Sequence, residues 1–177
     1  MKDFRPTREE ALSLLRAAGC GERVVRHCLA VERKAVKLAD LVGENGVRVD
    51  RELVSLGALL HDVGRAVTHG IRHGVEGGRI LRERGLPELA RFAENHLGAG
   101  IPREEARELG LPDRDFLPLT VEEKLVAYAD KVMEGEEEVE FERILRRFEG
   151  ELGPHHPALD RLRKLQEEIL RMTGGRG

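Results

Sequence analysis

The sequence predicts an all-α fold, a single-domain helical bundle of roughly seven to nine helices. Three observations carry this. Apolar residues recur at steps of three and four in nearly every segment. Two Thr–Glu pairs, Thr7 with Glu10 and Thr120 with Glu123, have the spacing of helix-capping boxes. No segment alternates apolar and polar residues with β-branched enrichment. No internal repeat or long linker divides the 177 residues, so one domain over 1–177 is expected.

The first helix starts at Thr7, carries Ala11, Leu14, Leu15 and Ala18, and ends at Gly19. A second runs about Glu22 to Val42 on the stripe Val24, Cys28, Val31, Ala35, Leu38, Val42. Asp50 is an N-cap for the third, with Leu53, Leu56, Leu60 and Val63 as its stripe. After the loop "THGIRHG", a fourth covers about His73 to Arg84 and stops at Gly85. Pro87 opens a fifth, reaching about Leu97. The stretch Gly98 to Thr120 holds one short helix at most. Then come helices over about Val121 to Glu134 and Glu137 to Glu149, and a last one after Pro157 that frays into "GGRG". The acidic run Glu134 to Glu142 reads as a solvated helix face, with the shaping of a site entrance as the alternative.

Composition narrows the function classes. Charged residues make up 36% of the chain, but the net charge is only -3. Neither nucleic acid nor a membrane surface is favoured as a partner. Aromatic residues are 3%, with no Trp, too few for base-stacking platforms. Cys20 and Cys28 are read as reduced core thiols. The start "MKDFRPTREE" has no apolar leader segment, and no run approaches the roughly 20 apolar residues of a membrane span. A cytoplasmic location is the expectation. Asn45, Asn95 and Gln166 are the only side-chain amides, as in thermophile proteins.

Polar residues intrude on three apolar helix faces. Asp130 in "VAYADKV" follows Val126 and Ala127 at i−4 and i−3. His27 lies between Val24 and Val31, and the doublet His61-Asp62 lies between Leu60 and Val63. An unpaired buried carboxylate costs several kcal/mol, so Asp62 and Asp130 require a proton, a cation or a metal. Imidazole nitrogen with carboxylate oxygen suits Mn, Fe, Co, Ni or Zn, and bundle cores are a recurrent place for such sites.

The order His27, His61-Asp62, Asp130 resembles the HD-domain superfamily of metal-dependent phosphohydrolases, in its HDIG-like, small archaeal or thermophile form. "LLHDVGR" resembles the family's doublet and "AYADKV" its closing Asp segment. "HGVEGGRIL" and "AENHLGAG" resemble its additional His segments, and the likeness covers about 20–135. An N-terminal helix and C-terminal helices would pack on that core. The resemblance implies His27, His61, Asp62 and Asp130 as ligands of one divalent ion. It implies His73 and His96 as ligands of a second, bridged by Asp62, with Mg also admissible. Two departures stand out. Arg65 replaces a common Lys, and Asn95-His96 replaces a His pair that some two-metal members carry.

The implied activity is hydrolysis of a phosphate ester, of a nucleotide or related small molecule, by metal-activated water. Asp62, Arg65 and Lys131 are the expected catalytic residues, with Arg65, His69 and Lys131 at the substrate. Arg65 would neutralise charge developing on the phosphate. No Gly-rich phosphate loop and no GxSxG elbow is present. Two alternatives stay open: a di-iron oxygenase-type enzyme, and a non-catalytic metal-binding regulatory module. A homo-oligomer is compatible with either. His155-His156 lies outside the family pattern and reads as a Pro-flanked turn.

Overall fold

The structure, a computed structural model, describes residues 4–177. The reading of the N-terminal stretch "MKDFRPTREE" includes residues 1–3, which lie outside them. The helices are α1 (Arg8–Ala17), α2 (Glu22–Glu44), α3 (Arg51–Leu60), α4 (His73–Glu83), α5 (Pro87–Asn95), α6 (Arg103–Glu108), α7 (Val121–Lys131), α8 (Phe141–Leu152) and α9 (Pro157–Met172). A 3-10 turn, Val63–Ala66, follows α3, and one small hairpin pairs β1 (Met133–Glu134) with β2 (Glu137–Glu138). This is the predicted all-α architecture. No helix among the described residues is long and apolar enough to cross a membrane.

The local signals act as their chemistry requires. The Thr7 hydroxyl accepts from the Glu10 amide at 3.2 Å, and the Glu10 carboxylate accepts from the Thr7 amide at 2.7 Å. At α7 only half of the box forms. Thr120 accepts from the Glu123 amide at 3.1 Å, but Glu123 is buried and takes Leu119 N–H, Asn95 Nδ2 and Arg91 Nη2 instead. Asp50 caps α3 through the Leu53 amide at 3.0 Å.

The long α2 is the axis of the core. Cys28, Val31, Ala35, Leu38 and Val42 of its predicted stripe are buried. Val24 is not; Val25 takes the core position and Val24 faces a cavity. Burial of each large aliphatic side chain contributes about 1.5–3 kcal/mol, the main driving force of the bundle. Cys20 and Cys28 are free and buried.

The acidic run is not one helix face. Gly135, at φ +63°, turns the chain back between Met133–Glu134 and Glu137–Glu138, so α7 stops at Lys131 and α8 begins only at Phe141. Glycine first in a two-residue connection is a hairpin signature. The buried Lys34 of α2 pairs with Glu138 and anchors the hairpin.

Glycines let the doublet approach α4. A Cβ on Gly64 would collide with the His73 carbonyl and the Gly77 amide, and one on Gly77 would come within 2.9 Å of Ala93 Cβ. "HDVG" and "HGVEGG" are therefore matched surfaces, joined where neither can carry a side chain.

Candidate metal centre and cavity

Four helix ends and one helix face supply the polar cluster. His61 and His96 are the C-cap residues of α3 and α5, His73 opens α4, Asp62 stands between α3 and the 3-10 turn, and Asp130 lies in the last turn of α7. Helix C-termini leave carbonyls without intrahelical partners, and a terminal imidazole can donate to one. His61 Nδ1 lies 2.6 Å from Ala58 O, and His96 Nδ1 lies 2.8 Å from Ala93 O, each three residues back. His73 Nδ1 does the same with Gly70 O at 2.8 Å. His27, in mid-helix, uses Gly135 O of the hairpin at 2.8 Å.

With every Nδ1 committed to a carbonyl, every Nε2 presents a lone pair. These lone pairs converge on two carboxylates. His27 and His61 Nε2 lie 3.0 and 3.3 Å from Asp130 Oδ1. His73 and His96 Nε2 lie 3.2 and 3.4 Å from Asp62 Oδ1. Asp62 Oδ2 lies 3.7 Å from His61 Nε2 and 3.9 Å from His27 Nε2. Asp62 thus turns one oxygen to each pair of histidines. His61 Nε2 and Asp62 Oδ1 are buried without a hydrogen-bond partner. These two unpartnered acceptors, at the centre of a cluster of imidazole nitrogens and carboxylate oxygens, fit divalent cations. Two triads, His27-His61-Asp130 and His61-Asp62-His96, hold their ligand atoms within 4.8 Å of one another.

Burial opposes charge on Asp62, but the His61, His73 and His96 rings outweigh it and hold the carboxyl well below its usual range. Burial likewise opposes charge on Asp130, and Lys131, His27 and His61 overcome it. Burial pushes His96 down to about 4, so it is neutral at pH 7, as a metal ligand must be.

Arg65 Nε lies 2.7 Å from Asp62 Oδ2. A cavity of about 380 Å³ opens here onto His27 and Asp62; Arg65, His69, Arg23, Val24 and Gly135 complete its walls. The hairpin of the acidic run therefore does shape the entrance, through Gly135. Lys131, expected at the substrate, does not line this cavity. It is buried and closes on Asp130 as an ion pair. Asn95 also points elsewhere, donating to Glu123 at 3.2 Å. His155 is exposed, and His156 caps α9 through the Ala158 amide at 3.2 Å, away from the cluster. Sequence reasoning missed Arg23, whose spacing of four before His27 was the available signal.

The chain is 53% identical over 162 residues to an uncharacterized protein of Methanocaldococcus jannaschii, covering 91% of this chain and 95% of that protein. It is 36% identical over 172 residues to the tRNA (cytidine(56)-2'-O)-methyltransferase of Picrophilus torridus, covering 97% of this chain but 48% of the enzyme. The chain thus spans about half the length of that methyltransferase. Its fold is similar to the HD domain of the phosphodiesterase PgpH of L. monocytogenes, solved in complex with cyclic-di-AMP. The TM-score is 0.54, with 17% identity and coverage of 93% and 96%. Residues 24–134, from just before His27 to just after Asp130, match the HD domain. The chain belongs to the HD domain family.

Proposed function

We propose that the chain is a metal-dependent phosphohydrolase that cleaves a phosphate ester of a nucleotide or related small molecule with water. The observation that carries this is the convergence of four imidazole Nε2 atoms on Asp62 and Asp130 at the wall of a cavity that also holds Arg65. His27, His61, Asp130 and Asp62 would hold one divalent ion, and Asp62, His73 and His96 a second. When bound, such an ion lowers the pKa of water to about 7 and supplies a nucleophile at neutral pH.

The protein's own groups divide the remaining work. The backbone carbonyls of Ala58, Gly70, Ala93 and Gly135 orient the four rings. Arg65, partly exposed at the cavity, can give its remaining N–H donors to a phosphoryl oxygen while Nε holds Asp62. Lys131 is a positioning residue that holds Asp130. His69 lines the same cavity and is placed to contact the substrate.

A second reading follows from the relatives: two tRNA methyltransferases contain a region like this chain as 48% and 41% of their length. In that reading the phosphate ester belongs to tRNA. The net charge of -3 favours the small-molecule reading.

The test is elemental analysis of the purified protein together with a phosphate-release screen. The screen covers mono-, di- and cyclic nucleotides and tRNA, with Mn²⁺ added. One to two transition-metal ions per chain are expected. Hydrolysis should vanish in Asp62→Ala and fall about 10²- to 10³-fold in Arg65→Ala. Full activity in Asp62→Ala refutes the mechanism.

A further inference from the structure

The cavity beside the cluster contains a cation that hydrolysis at the cluster leaves unused. Arg23 lines it from the first turn of α2. It precedes His27 by four residues, about 6 Å along the helix axis. Among the described residues no carboxylate pairs with it, whereas its charged neighbours are engaged. Glu22 pairs with Arg16 at 3.2 Å, and Arg26 with Glu136 at 3.3 Å. Arg65, the other guanidinium of the cavity, has its Nε committed to Asp62.

The rest of the lining sharpens the chemistry. Asp62 is its only carboxylate, and it faces the histidines. Among the described residues of its lining no Phe, Tyr or Trp is present to stack a base. Exposed His69 adds a further nitrogen at the wall. A cavity of this volume accepts a small ligand, and two guanidinium groups in its wall suit anionic oxygens.

We propose that Arg23 forms a second phosphate subsite, one helical turn from the hydrolytic cluster, so that the substrate class carries two linked phosphoryl groups. One phosphoryl group lies at the cluster with Arg65. The other is held, uncleaved, by the planar fork of Arg23. A nucleoside diphosphate fits this description better than a monophosphate: water adds to the phosphoryl group at the cluster, its ester bond to the nucleoside breaks, and the nucleoside hydroxyl and pyrophosphate leave, with the second phosphoryl group held on Arg23 throughout. The proposal rests on the phosphohydrolase reading.

Calorimetric titration of the protein as purified, with inorganic phosphate and inorganic pyrophosphate as probes, tests it. Pyrophosphate is expected to bind at least about tenfold more tightly. Arg23→Ala should bring the two affinities together by weakening pyrophosphate alone, and Arg23→Lys should keep part of the preference. Arg23 is exposed and outside the core, and matching thermal melts verify that the variants fold. Equal binding of both probes by the wild type, or an unchanged preference in Arg23→Ala, overturns the subsite. Steady-state kinetics separate the two readings. If Arg23→Ala removes the preference but no nucleotide is hydrolysed, the subsite stands and the hydrolytic reading falls. If Asp62→Ala abolishes hydrolysis while Arg23→Ala leaves KM for nucleoside mono- and diphosphates unchanged, the subsite falls and the hydrolytic reading stands.

Discussion

His73 and His96 bring their Nε2 atoms to 3.1 Å of each other, although each already donates its Nδ1 proton to a backbone carbonyl. Two lone pairs then face one another beside Asp62 Oδ1. That contact is repulsive unless a proton or a metal ion lies between them. A cation shared by His73, His96 and Asp62 relieves all three. His96→Ala should therefore lower bound metal by up to one ion per chain relative to wild type, measured by elemental analysis after dialysis against the metal. Unchanged metal content in His96→Ala would exclude a second ion at this position.

Gly64 joins the doublet to α4 through space that a methyl group cannot share. Its Cβ would strike the backbone of both His73 and Gly77, neither of which can rotate away. Gly64→Ala is expected to destabilise the protein by about 3 kcal/mol and to displace His73. Urea denaturation reads the first effect, and metal content of the folded fraction reads the second. A variant within about 0.5 kcal/mol of wild type would show that the 3-10 turn is not pinned there.

The metal-free protein should lose stability as the pH falls below about 6.5. His96 ordinarily titrates at 6.5, but burial holds it at about 4 in the fold. Between these values the unfolded chain binds a proton that the folded chain refuses, so unfolding is favoured as pH drops. The effect approaches about 3 kcal/mol once pH is below 4. Asp62 and Asp130, held low, add to the loss at still more acidic pH. His27 acts oppositely: Asp130 outweighs its burial and raises it, so its contribution is present below pH 6.5 and lost at higher pH. Chemical denaturation at pH 7 and pH 4.5 checks the balance, and His96→Gln should flatten the difference. A pH difference left unchanged in His96→Gln would contradict the buried neutral ring.

Much of this was legible in the residues themselves. Caps at Thr7 and Asp50, glycine stops and the stripe of α2 are local signals, since capping and i, i+3, i+4 spacing involve only near neighbours. The hairpin at Gly135 was not legible. Its two-residue strands are too short for a period, and the surrounding glutamates read as helix formers. What holds it is Lys34, about one hundred residues earlier in the chain. Glu123 misled in the same way: its spacing from Thr120 forms a capping box, but burial against Arg91 and Asn95 offered its carboxylate better partners.

The sequence by itself determined that the chain folds as helices and that His27, His61-Asp62 and Asp130 interrupt apolar faces. These follow from neighbours within a turn. The structure ends the third helix at Leu60 and puts Val63, read as part of its stripe, in the 3-10 turn. His61, His73 and His96 are even oriented locally, each by a carbonyl three residues back. Only the tertiary structure decided that five separate segments aim at one point, and that Lys131 turns to Asp130 while Arg23 and His69 face the cavity. It also decided that His27 takes its orientation from Gly135, 108 residues away. Convergence depends on helix packing and on the glycine contact between Gly64 and α4, and no spacing along the chain encodes distances across the core.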